Sequence, residues 1–150
     1  MRMHRLSQGH CVPNAHDDLA ESYLRLGELC SNQQALLPEA EQHIKCALKI
    51  CLALHQEQPH RNTARSHLSL GQLYCKQSRY EQGKASIEKA LAIYARVEDK
   101  SFRVDVAKLY AELGAICCTQ KDFKQAEQHH LKALRLRKML YGLQPHADLA

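Results

Sequence analysis

Histidine and cysteine are the residues of this chain best able to do chemistry: ten of one and seven of the other occur among 150 residues. A zinc centre would need convergent ligands at characteristic spacings, and these are not found. No Cys-x-x-Cys occurs, Cys117-Cys118 and His129-His130 are adjacent pairs whose side chains diverge on a helix, and His43 with Cys46 supplies only two ligands on one face. Neither a metal nor a cofactor is therefore expected. A phosphate-cradling glycine loop, His-Glu-x-x-His and Gly-x-Ser-x-Gly are also missing, so no nucleophile, base and oxyanion set is in view and the chain does not read as an enzyme. One basic group remains, Lys132, Arg135, Arg137 and Lys138. Cations at the end of a helix complement its dipole, and that structural reading outweighs the alternative of a nucleic-acid-binding helical repeat.

The elements that carry these residues are helices. From Asp105 to Leu140, Ala107, Tyr110, Leu113, Gly114 and Cys117, then Phe123, Ala126, His130, Ala133, Leu136 and Leu140, recur at spacings of three and four. Such spacing places them on one face of each of two helices, with Thr119-Gln120-Lys121-Asp122 as the polar break. The same pattern lies 43 residues earlier, at Ala64, Gly71, Tyr80, Gly83, Ala90, Ile93 and Val97. A further step of 43 or 44 residues reaches Ala20, Gly27, Leu37, Ala40, Ala47, Ile50 and Leu54, the extra residue falling in the turn between Ser31 and Leu36. Gly27, Gly71 and Gly114 are expected where two helices touch, and Gly83 at a close crossing, because a mid-helix glycine needs a packing reason.

Leu26-Gly27-x-x-Cys30, Leu70-Gly71-x-x-Tyr74 and Leu113-Gly114-x-x-Cys117, each followed by a small residue in a second apolar helix, resemble the tetratricopeptide repeat. The copies are longer than the ordinary repeat of about 34 residues. Their extended second helices, with Pro59-His60 and Pro145-His146 ahead of the next copy, resemble the variant found in kinesin light chain and nephrocystin. The resemblance implies an all-α right-handed superhelix, an α-solenoid of three antiparallel helical hairpins at about residues 16–59, 60–102 and 103–145, with residues 146–150 beginning a fourth and residues 1–15 an irregular tail.

It also implies a non-catalytic scaffold or adaptor that takes a partner peptide or helix in its concave groove. By phase, the wall of that groove is Glu21, Leu24, Arg25, Glu28 and Ser31 in the first copy, and Arg65, Leu68, Ser69, Gln72 and Cys75 in the second. The third contributes Lys108, Ala111, Glu112, Ala115 and Cys118. Where light-chain repeats carry an asparagine pair, this chain has Leu24-Arg25, Leu68-Ser69 and Ala111-Glu112. A third reading is a structural segment of a longer scaffold.

Composition agrees with helical packing. Without Trp, and with six Tyr and two Phe, the core must be built from Leu, Ile, Ala and other small residues. Cysteines with no apolar leader suggest a reducing compartment, so a cytoplasmic protein without a membrane span is expected. The final His146-Ala147-Asp148-Leu149-Ala150 copies the phase of His16-Asp17-Asp18-Leu19-Ala20. A truncated product or part of a longer array is expected, which alone associates weakly with itself through Leu136, Met139 and Leu140.

Overall fold

The computed structural model describes residues 13–97 and 100–142. Among the described residues, six α-helices follow one another: α1 (Pro13–Cys30), α2 (Leu37–His55), α3 (Arg61–Lys76), α4 (Tyr80–Arg96), α5 (Arg103–Thr119) and α6 (Phe123–Leu140). Short 3-10 turns, Gln34–Leu36 and Lys100–Phe102, lead into α2 and α5. The helices pack as three hairpins, α1 on α2, α3 on α4 and α5 on α6, each stacked on the next. The result is an all-α solenoid.

Glycine sets the approach within each hairpin. A Cβ added to Gly71 would lie 2.7 Å from Ile87 Cγ1 and 3.0 Å from the Gly83 carbonyl, while one added to Gly83 would lie 3.0 Å from the Gly71 carbonyl. The expected close crossing is this reciprocal pair, where two backbones meet. Gly27 sits as tightly against Ile44 Cγ1, at 2.5 Å. Gly114 differs, because the atoms a Cβ would meet there belong to the exposed His130 ring.

The helix ends follow local chemistry. Pro38 occupies the first turn of α2, where its missing N–H costs nothing. In the second and third hairpins the break is one motif used twice. Arg79 N–H donates to Tyr74 O at 2.8 Å and Ser78 N–H to Cys75 O at 3.0 Å; Asp122 N–H donates to Cys117 O at 2.8 Å and Lys121 N–H to Cys118 O at 3.0 Å. These bonds satisfy the last carbonyls of α3 and α5, and they force Ser78 and Lys121 to φ of 60° and 63°, positions that favour glycine. Gly142, just past α6, has φ of 82°, and its N–H donates to Met139 O.

One expectation at the amino end needs correction: helix α1 begins at Pro13, inside the tail assigned to residues 1–15. Proline suits a first helical position, so it can open a helix without an acidic cap. The rest of that tail, and the fourth-repeat residues 146–150, lie outside the described residues.

The core is shared between neighbouring hairpins. Leu24, Leu37, Ala40, Ile44 and Ala47 of the first cluster with Leu70, Leu73 and Tyr74 of α3. Ala64, Ile87, Ala90 and Tyr94 of the second cluster with Leu109, Leu113 and Ile116 of α5. The middle hairpin thus buries α3 against the hairpin before it and α4 against the hairpin after it. In α6 only Ala126 and Ala133 are buried, while Leu131, Leu134 and Met139 are exposed.

Candidate partner-binding groove

The first helices of the hairpins, α1, α3 and α5, carry the expected wall. Arg25, Gln72, Lys108 and Ala115 are exposed on them, and Glu21, Glu28, Arg65, Leu68, Ala111 and Glu112 are half-buried. Leu24 is a correction: it is 1% exposed and belongs to the core of the first hairpin. Ser69 is also buried, and its hydroxyl donates to Glu28 Oε1 at 3.0 Å. Both positions lie on the boundary between wall and core, and the close packing of α1, α2 and α3 turns them inward.

The polar wall residues bond mainly to one another. Arg65 Nη2 donates to Glu28 Oε1 at 3.2 Å, and Lys76 Nζ donates to the Ser31 carbonyl at 2.9 Å, both joining α3 to the end of α1. Gln72 Nε2 donates to Glu112 Oε1 at 2.7 Å, joining α3 to α5. Glu21 pairs with Arg25 within α1, and that guanidinium holds its carboxyl below the usual carboxylate range. These bonds sew adjacent repeats together and leave few wall charges unspent.

One stretch of the wall is hollow. Gln72, Cys75, Glu112, Ala115 and Ile116 line an open depression of about 210 Å³ between α3 and α5. Its floor is apolar, from Ile116, Ala115 and the Cys75 side chain. Its one carboxylate is Glu112, whose pKa burial pushes up even though Gln72 donates to it. A half-desolvated carboxylate that accepts from one neutral amide, with the Lys108 charge nearby, has lone pairs to spare for a further donor. Ile116 was not among the expected wall residues; it is 5% exposed and packs with the core, with its edge forming the floor.

The basic group stands elsewhere. Lys132, Arg135, Arg137 and Lys138 are exposed on α6, with Arg137 and Lys138 in its last turn, where cations complement the helix dipole. Lys132 Nζ lies 5.4 Å from the centre of the Tyr110 ring, a cation–π distance.

Histidines meet three fates. His67, which replaces Tyr23 and Tyr110, is buried, and desolvation lowers its pKa to about 4, with Lys89 adding to the shift. His60 accepts a 3.1 Å bond from Asn62 N–H and caps α3. His16 instead lies within α1, and His146 is outside the described residues. His60 also meets His55 and Asp17, a meeting that the spacing rules for metal ligands did not register.

Stacked helical hairpins of this kind define a helical repeat protein. The tetratricopeptide repeat family profile matches residues 62–139, and the chain belongs to that family. Its repeats generally mediate protein–protein interaction. Among solved structures, the crystal structure of BtubC (BKLC) from P. vanneervenii is similar, with a TM-score of 0.77 and 24% identity over 89% of this chain and 53% of that one. The chain thus spans about half the length of that protein, and the likeness is one of fold. No curated protein sequence matches the chain. Among the described residues, no helix is long and apolar enough to cross a membrane.

Proposed function

We propose that this chain is a non-catalytic scaffold that binds an extended or helical segment of a partner protein along α1, α3 and α5. The depression at Gln72, Cys75, Glu112, Ala115 and Ile116 carries the reading. It has the size of one apolar side chain, and its rim offers Glu112 as an acceptor, so the segment presents an apolar anchor beside a donor group. Because Glu28 and Arg65 already neutralise each other, charge elsewhere on the wall adds little to affinity.

A displayed random-peptide library, selected against the folded chain, tests this. Selected peptides should compete with one another, shift the amide resonances of α3 and α5, and lose affinity when Ala115→Arg fills the depression at unchanged helicity. Peptides that bind Ala115→Arg as well as the parent chain would place the interaction on another face. Salt separates the nucleic-acid reading: binding through Lys132, Arg135, Arg137 and Lys138 would fall steeply as salt rises, whereas burial of an apolar anchor would not.

A further inference from the structure

Three polar side chains from separate helical elements meet where the first hairpin joins the second. Asp17 projects from α1, His55 closes α2, and His60 caps α3. Asp17 Oδ1 and His55 Nε2 are 2.8 Å apart although 38 residues separate them in sequence. The turn that brings His60 back over His55 passes through Gln56, at φ of 50°, and is closed by Gln58 N–H donating to His55 O at 2.8 Å. As a result the two imidazoles stack, 3.6 Å between centres and 6° between planes. One ligand atom from each of the three residues lies within 4.8 Å of the others.

We propose that Asp17, His55 and His60 are a binding site for a divalent cation of the zinc type, which clamps the first hairpin to the second. Two imidazole nitrogens and a carboxylate oxygen are the ligand types zinc favours, with water completing a tetrahedron. The group is sheltered yet reachable: the His55 and Asp17 side chains are 19% and 30% exposed. Asp17 and His55 already stand at a separation that an ion can bridge, the cation taking the place of the proton shared between them. That proton leaves to solvent or moves to His55 Nδ1.

The third ligand must move. Stacked as they are, the two rings direct their lone pairs side by side, so His60 turns toward the ion and gives up its bond from Asn62 N–H. Metal capture therefore exchanges a helix cap for a link between repeats. Cys51 lies one turn before His55 but is buried, and burial raises its thiol pKa, first of all by desolvation and further by the Asp17 charge. It stays a thiol behind the site and does not compete for the ion as a thiolate.

Titration of the full chain with Zn²⁺ alone, by calorimetry at neutral pH, tests the proposal. One equivalent should bind, the thermal unfolding midpoint should rise with Zn²⁺, and both effects should weaken at least about tenfold in Asp17→Asn and in His60→Asn. Asparagine is a good cap, so His60→Asn keeps the start of α3 while removing the imidazole. Cys46→Ser with Cys118→Ser removes the two thiols exposed among the described residues and should leave Zn²⁺ binding unchanged. Cobalt in place of zinc should give no thiolate charge-transfer absorption. Equal Zn²⁺ affinity in the parent and His60→Asn, loss of binding in the cysteine variant, or no saturable Zn²⁺ binding would each overturn the assignment.

Discussion

At the scale of single residues, the buried histidine makes the sharpest test. His67 is 9% exposed, and burial holds its pKa near 4 against 6.5 for a free imidazole. The unfolded chain therefore takes up a proton near pH 6.5 that the folded chain refuses until near pH 4. Stability is fully present above that window and is lost as pH falls through it, by up to about 3 kcal/mol from this group. Tyrosine stands at the same place in the other two copies, so His67→Tyr should remove most of this loss. Urea midpoints at pH 7.5 and 4.5 measure it within each protein, so any difference in baseline packing drops out. An unchanged loss would shift the cause to His60 and His129, whose pKa values burial also lowers.

At the scale of elements, close helix approach and helix termination each make a prediction. A methyl group on Gly71 runs into Ile87 and the Gly83 carbonyl, so Gly71→Ala should cost about 1–3 kcal/mol by forcing the helices apart. At Gly114 the obstacle is the exposed His130 ring, which can swing away. Gly114→Ala should be near neutral, or stabilising by up to about 1 kcal/mol through helix propensity. Equal losses for the two, read from denaturant midpoints, would show that the third hairpin is as tightly closed as the second. The caps predict gains: Ser78→Gly and Lys121→Gly relieve left-handed strain and should each stabilise by about 0.5–1 kcal/mol in the same measurement.

At the scale of the whole molecule, the exposed surface of α6 is the feature to test. Leu131, Leu134 and Met139 are 43%, 40% and 52% exposed, and Tyr141 just beyond them is 62% exposed. Leu136 and Leu140, expected to share in self-association, are only half-buried. Apolar side chains grouped in this way favour covering by another surface. Weak association of the chain with itself is the expected outcome, seen as apparent mass rising with concentration in light scattering and reduced in Met139→Glu. A single monomeric species across the series, with Met139→Glu unchanged, would rule it out.

The sequence by itself determined the repeat. Small residues at Ala20, Gly27, Ala40 and Ala47 and their copies 43 or 44 residues on define helix faces, because a side chain wider than the gap cannot recur wherever two helices touch. The polar break from Thr119 to Asp122 likewise announced the turn between helices. Tertiary structure decided what a helical period leaves open. A period near 3.6 residues assigns a face but not its angular edge, so Leu24 and Ser69 read as wall, although packing between the first two hairpins draws them inside. Long-range pairings were equally out of reach: Glu28 with Arg65 and Gln72 with Glu112 join neighbouring repeats, and Asp17 with His55 joins the two helices of the first, at 37, 40 and 38 positions apart. Local spacing rules compare ligands within one helix or turn. Only the packing of helices within and between hairpins brings such residues within bonding distance, since it fixes how each helix is rotated and staggered against the next.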